Sequence, residues 1–337
     1  MVASNQNDLQ LISVTRRDFA ILSAAAAAMP ACAVQITGLR GVNLVETDKA
    51  PFGSDAALDS FRRAAAMGAN AVALIPFFWQ QDATSSHVTM GDALPPARLK
   101  AGIAQARAAG LQVVIKPHVW VPGAWAGAIA PRDGWPAWFA SYGPHLLDLA
   151  RLAQTERVAE LIIGTEIAGA SARPEWAPLI AEVRKIFAGR LAYVAHGAEE
   201  VERFAHWRLV DRVGASLYPS LPGGAAQRVK AMDATLARIT RVAKAAGKPV
   251  MIGEIGLRSA HGAALKPWES AEERRAAPDG ALQATVIGEW LDAAVRAGVQ
   301  DVLIWRWFSD PHGGGTSDTD FTIQNKPAER LVALRWR

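Results

Sequence analysis

"ELIIGTEIAG", residues 160–169, ends an apolar run that reads as a buried strand on an ionisable side chain, Glu166. "KPVMIGEIGLRS", residues 248–259, repeats the arrangement, with Val250-Met251-Ile252 leading through a glycine to Glu254. A buried carboxylate is unfavourable unless it is paired or used. Two at matched places therefore ask for a fold that gathers strand ends. Both runs are apolar throughout rather than alternating, the pattern of strands covered on both faces in a parallel sheet.

Eight such runs follow one another: 36–45, 70–79, 111–120, 160–167, 190–197, 211–219, 248–256 and 301–308. Helical segments separate them. "DAALDSFRRAAAMG" puts Leu58, Phe61 and Ala65 on one face and closes at Gly68. "PPARLKAGIAQARAAG" opens with prolines, which the first helical turn tolerates, and closes at Gly110. The helices ending at Gly247 and Gly298 repeat that closure, and "KPAERLVALRW" supplies the last one. Eight strand–helix repeats predict an α/β fold, a single (β/α)8 barrel over residues 34–337. A doubly wound open sheet is the alternative, but no G-x-G-x-x-G follows the first strand. The segment 266–280 reads as a long polar loop after the seventh strand.

The remaining chain is a leader. Residues 1–33 contain Arg16 and Arg17, an alanine-rich run and Ala31-Cys32-Ala33, in the order of a twin-arginine export signal with a small-residue cleavage site. The apolar run is too short for a permanent membrane span. A periplasmic or secreted protein is expected. Cys32, the single cysteine, falls in this leader, so the mature chain has no disulfide and no thiol nucleophile. Lipid attachment at Cys32 is the weaker reading, because "MPAC" lacks the leucine usual three positions before such a cysteine. The formal net charge of +4 is not concentrated in any basic stretch, which argues against a nucleic-acid partner. Twelve Trp beside three Tyr supply flat apolar faces suited to sugar rings or to a core.

Active sites of such barrels lie at the C-terminal ends of the strands. Glu166 ends the fourth strand and Glu254 the seventh, so both face one mouth. By strict alternation Ile162, Gly164 and Glu166 share a side, as do Val250, Ile252 and Glu254. Paired carboxylates roughly 5 Å apart are what retaining glycoside hydrolysis needs. One attacks the anomeric carbon; the other protonates the leaving oxygen and then activates water. The rival reading of either glutamate alone is a salt-bridged strand end.

The chain also resembles clan A glycoside hydrolases, and in detail family 113, the (β/α)8 β-mannanases. The motifs are "GTEI", "GEIGLRS", "KPHVW" and the ending "WRWFSDPHGGGTSDTDFTIQNKPAERLV". The resemblance runs from about residue 38 to the C-terminus and implies a retaining hydrolase of a β-1,4-linked polysaccharide, mannan first, with no cofactor. It makes Glu166 the acid/base and Glu254 the nucleophile. Arg258 is then expected to keep Glu254 ionised, and the apolar surroundings of Glu166 to hold a proton on it. Thr165 stands where many clan A enzymes carry an asparagine that holds the sugar 2-hydroxyl. Alternatives are a hydrolase of another β-glycan or bacterial exopolysaccharide, a non-catalytic sugar-binding barrel, and a metal-dependent hydrolase.

Around the glutamates, Trp305 resembles the tryptophan flooring the cleavage subsite, and Trp307 is expected on the same side. Tyr218 resembles the tyrosine that hydrogen-bonds the nucleophile. Trp79, Gln80, His118, Trp120 and His196 end strands and are candidate sugar contacts. Trp125, Trp135 and Trp138 are read as one loop lining outer subsites, with Trp268 similar. No second histidine stands at ligand spacing from His118, so no metal is expected. Asp310, Asp318 and Asp320 lack EF-hand spacing and read as loop-forming.

Overall fold

The computed structural model describes residues 38–91 and 94–337; the segment expected to be a leader, with Arg16, Arg17 and Cys32, lies outside the described residues. The elements in chain order are β1 (Arg40–Val45), α1 (Asp55–Ala66), β2 (Ala71–Leu74), β3 (Phe77–Gln80), β4 (Val88–Met90), α2 (Pro96–Ala108), β5 (Gln112–Ile115) and β6 (His118–Trp120). They continue as α3 (Trp135–Thr155), β7 (Glu160–Thr165), α4 (Trp176–Ile186), β8 (Arg190–His196), α5 (Gly197–Arg203) and β9 (Arg212–Leu217). The last are α6 (Ala225–Ala246), β10 (Val250–Ile255), α7 (Gly280–Arg296), β11 (Asp301–Phe308) and α8 (Pro327–Trp336).

Eight parallel strands close the barrel in chain order, β1, β2, β5, β7, β8, β9, β10 and β11, and β11 pairs back with β1. The (β/α)8 expectation holds. The second and third strands are shorter than the sequence suggests. Each apolar run contains a proline, Pro76 or Pro117, which has no N–H to give a ladder. The barrel strands stop at Leu74 and Ile115. Past the prolines the chain pairs again outside the barrel, where β3 joins antiparallel β4 and parallel β6.

Helix ends follow local chemistry. Ser54 caps α1 by accepting from the Ala57 amide at 3.2 Å. The buried face of α1 is Ala57, Ser60, Phe61 and Ala64, so Leu58 and Ala65 sit at its margin rather than at its centre. Gly68, with φ 107°, turns the chain where a Cβ would come within 2.9 Å of the Trp336 side chain. Gly247 closes α6 in the left-handed region, φ 68°.

Trp135 and Trp138 are not loop residues. They open α3 and are buried, Trp138 stacking on Tyr142 with centroids 4.7 Å apart. The Trp138 indole donates to Gln80 Oε1 at 2.8 Å, and the Gln80 amide donates to the Asp82 carbonyl. This corrects three expected sugar contacts: Trp135, Trp138 and Gln80 are buried together where α3 meets β3 of the small sheet. At the N-terminal ends of the strands, Glu160, Arg212 and Asp301 form a buried ionic network, the end of a barrel that serves stability.

Candidate active site

Register brings the functional groups into one row. His196 of β8 pairs with Ser216 of β9, and Ser216 pairs with Glu254 of β10. Glu166, just past β7, donates its amide to the Val194 carbonyl at 2.8 Å. Neither glutamate arrives by plain alternation. The β7–β8 ladder slips between Ile162 and Thr165, and the β9–β10 ladder between Ile252 and Glu254. A Cβ on Gly164 would meet Trp176 of α4 at 2.9 Å, so Gly164 faces the helices. A Cβ on Gly253 would meet Val194 at 2.7 Å, while Ile252 belongs to the outer core. The shared side expected for Ile162, Gly164 and Glu166, and for Val250, Ile252 and Glu254, is thus broken by bulges, which re-aim side chains beside active sites.

Both glutamates are buried and line one cavity of about 490 Å³ with His118, His196 and Tyr218. Trp125, Trp268, Glu273, Trp305 and Phe321 complete its wall. A larger hollow, about 620 Å³, lies at the opposite end of the barrel. Its charged residues include Asp292 and Arg335, which pair with each other, and no carboxylate pair faces it, so the chemistry belongs to the smaller cavity.

Glu254 sits between a cation and a phenol. Lys116, wholly buried, makes an ion pair with Oε1, and Tyr218 donates to Oε2 at 2.8 Å. Burial first, then the Glu254 charge, pushes the Tyr218 phenol well above its ordinary range, so it stays a donor. Lys116 Nζ also lies 5.3 Å from the centre of the Trp305 ring. Asn43 of β1 donates to the Gly253 carbonyl at 3.1 Å and fixes the bulge that aims Glu254.

Glu166 is held differently. Its Oε1 meets His196 Nδ1 at 2.9 Å and accepts from the Ser216 hydroxyl; its Oε2 accepts from the Trp125 indole at 3.0 Å. His118 Nε2 is 3.9 Å from Oε2. Burial alone would push the Glu166 carboxyl up. The hydrogen bond and charge of His196, the nearby His118 and the Ser216 hydroxyl outweigh it and hold the group well below the usual carboxylate range. Burial lowers His196, but Glu166, by hydrogen bond and charge, raises it above its ordinary value, helped by Glu200 and Glu254. His118 is lowered by burial and by Lys116. Both shifts run in one direction, favouring a carboxylate at Glu166 and an imidazolium at His196. The expectation that apolar surroundings keep Glu166 protonated fails because those surroundings include an imidazole.

Two further expectations change. Arg258 is buried, but it donates to the carbonyls of Thr319 and Arg274, folding the loop after β10; Lys116 is the cation at Glu254. Trp305 lines the cavity, whereas Trp307 is buried and donates to the Ser60 hydroxyl at 2.8 Å. They part because Trp305 pairs with Asn43 and Trp307 with Leu44, two adjacent residues of β1 that face opposite ways. Thr165 is buried too, and its hydroxyl donates to the Pro117 carbonyl at 3.1 Å rather than facing the cavity.

Trp79 and Trp120 are exposed neighbours on the small sheet, ring centroids 6.1 Å apart, and Phe77 joins Trp120 to His118. Trp125 and Trp268 line the cavity, Trp125 beside Glu166 rather than at an outer position. Asp318 and Asp320 pair with Lys326 and Arg306, and Asp310 accepts from the His312 amide. Among the described residues no group of three His, Cys, Asp or Glu is placed to hold a metal ion. Lys116, Ser216 and Asn43 were not singled out in the sequence. The signal for Lys116 was a lone cation in the apolar run "VVIKP"; Ser216 and Asn43 carry no such mark.

The sequence model of glycoside hydrolase family 113 matches residues 44–326. The chain belongs to that family. As a member of it, the protein is a glycoside hydrolase. Comparison with curated proteins gives no match. Among solved structures, a family 113 β-1,4-mannanase is 25% identical with a TM-score of 0.80, covering 89% of this chain and 99% of its own. The family 113 β-mannanase AaManA from Alicyclobacillus acidocaldarius, in complex with ManMIm, is 23% identical with a TM-score of 0.79, covering 90% and 98%. A β-D-glucuronidase from Dictyoglomus thermophilum shares the fold at 14% identity and a TM-score of 0.60, covering 89% of this chain and 50% of its own.

Proposed function

We propose that this glycoside hydrolase cleaves β-1,4-linked mannan with retention, Glu254 acting as nucleophile and Glu166 as acid/base. The observation that carries the reading is the different company of two glutamates in one cavity. Glu254 is matched to a cation and a phenol that keep an anion in place. Glu166 is matched to a histidine with which it can exchange a proton across 2.9 Å. The choice of mannan rests on the family 113 β-mannanases this chain resembles along almost their whole length.

In the first step a Glu254 oxygen bonds to the anomeric carbon while the glycosidic C–O bond breaks, and the departing oxygen takes a proton from Glu166. In the second step Glu166 removes a proton from water, which attacks the same carbon and frees Glu254. The resting pair is Glu166 carboxylate with His196 imidazolium. Sugar binding expels water, which favours the neutral pair over the ionised one. Closure of substrate over the cleft thus moves the shared proton onto the carboxyl that needs it. Trp305 beneath the cavity and Trp268 at its mouth offer faces to sugar rings.

Rates on β-mannan, β-glucan and exopolysaccharide panels, with Glu254→Ala and Glu166→Ala, test this. Glu254→Ala should lose turnover of every substrate, with azide restoring some by attacking the anomeric carbon. Glu166→Ala should keep glycosylation for acidic phenol leaving groups and show a burst, because the base for water is gone. Wild-type rates in both variants would make the pair structural and refute the reading.

On the same reading the chain is exported through the twin-arginine route and released after Ala33, without lipid on Cys32. The arginine pair and small-residue site support this. Replacing Arg16 and Arg17 by lysine should leave the protein in the cytoplasm; normal export of that variant would refute it.

A further inference from the structure

Glu200 of α5 is also buried, on the active-site side of the fold, yet it does not line the cavity. Three donors converge on it. Tyr193 Oη donates to Oε1 at 2.6 Å, Ser171 Oγ to Oε1 at 2.9 Å, and the His196 amide to Oε2 at 2.6 Å. Capping the start of α5 would need only the last of these. Two of the three lead to Glu166. Tyr193 Oη also accepts from the Ile167 amide at 3.0 Å, the peptide directly after Glu166. Glu166 has φ 56°, a left-handed conformation that is unfavourable for a non-glycine residue and persists only when its surroundings impose it. The other route runs through His196, whose backbone is held by Glu200 and whose imidazole holds Glu166 Oε1.

We propose that Glu200, relayed by Tyr193, is the positioning residue for the acid/base: it pins the Glu166–Ile167 peptide and the His196 backbone together, so that imidazole and carboxyl stay within proton-exchange distance. This rests on the reading of Glu166 as acid/base. Burial raises the Glu200 carboxyl and its three donors oppose that; the Glu200 charge in turn favours the His196 imidazolium. The charged groups facing His196 are Glu166, Glu200 and Glu254, with His118 and Lys116 beyond the two site glutamates.

The test uses the full chain with Glu200→Gln and Tyr193→Phe; the latter keeps the ring stacked on Phe204 at 4.2 Å. The His196 imidazole is titrated by proton–carbon NMR, its signal assigned by loss in His196→Gln. In Glu200→Gln it should titrate lower, by roughly one pH unit, because a neighbouring negative charge is gone. In kinetics, both variants should lose about tenfold or more in kcat on unactivated β-oligosaccharides with KM little changed. In kcat/KM, which reports the glycosylation step, they should lose far less on dinitrophenyl glycosides, whose departure needs no acid. An unmoved His196 titration overturns the proposal whatever the chain hydrolyses. Equal slowing for all leaving groups also overturns it, by making Glu200 a fold residue only. A moved titration in a chain that cleaves no β-glycan would refute the hydrolase reading and leave the coupling of Glu200 to the Glu166–His196 pair standing.

Discussion

Replacing Lys116 by methionine should destabilise the barrel, and replacing Glu254 by glutamine at the same time should recover most of the loss. Lys116 is wholly buried and pairs with a carboxylate that is itself only 4% exposed. Without the ammonium, Glu254 keeps one strong donor, the Tyr218 hydroxyl at 2.8 Å. Breaking one side of a buried pair costs about 3–5 kcal/mol, because an uncompensated charge stays behind. For about 300 folded residues the entropy of unfolding is about 0.6 kcal/mol/K, so Tm should fall by about 5–8 °C. Glu254→Gln alone should fall by a similar amount, since it strands the lysine. The double variant buries two neutral groups of nearly the same shape, and such replacements are often close to neutral. Thermal unfolding of the four proteins, followed by circular dichroism, gives the coupling directly and needs no activity. Additive losses in the double variant, or an unchanged Tm in Lys116→Met, would refute the argument that the pair is held by mutual charge compensation.

The Glu166–His196 pair predicts a pH window for stability. Glu166 is lowered in the fold, so its contribution is present above the ordinary carboxylate value of 4.5 and is lost as pH falls through the folded value. His196 is raised, so its contribution is complete below the ordinary imidazole value of 6.5 and is lost as pH rises through the folded value. The difference in unfolding free energy between wild type and His196→Asn should therefore be largest between pH 4.5 and 6.5 and shrink on both sides; denaturant unfolding across pH checks it, and a flat difference rejects it. Trp268 is 53% exposed and lines the cavity. Trp268→Ala should raise KM a few-fold to roughly tenfold, the loss of one aromatic contact, with Tm unchanged; an unchanged KM for oligosaccharides would remove it from the substrate path.

What the sequence determined by itself was periodic or positional. Eight apolar runs separated by helices with glycine ends point to a parallel sheet covered on both faces, and eight repeats without a G-x-G-x-x-G favour its closure into a barrel over a doubly wound open sheet. Glu166 and Glu254, as ionisable groups ending such runs, were legible for the same reason. His118 was legible by its place in the third apolar run, and Tyr218 and Trp305 through the resemblance to family 113; all three line the cavity. The tertiary structure decided everything that depends on register or on contacts distant in sequence. A one-residue slip beside Asn43 separates Trp305 from Trp307, and slips beside Gly164 and Gly253 re-aim the glutamates. Strand alternation cannot foresee a bulge, because the extra residue leaves no mark in an apolar run. The partners of the two carboxylates, Lys116 from 138 positions away and Ser216 from 50, are likewise set by which strands lie side by side. Arg258, four residues past Glu254, was the nearer cation along the chain; Lys116 is the nearer one in space, and charge acts through space.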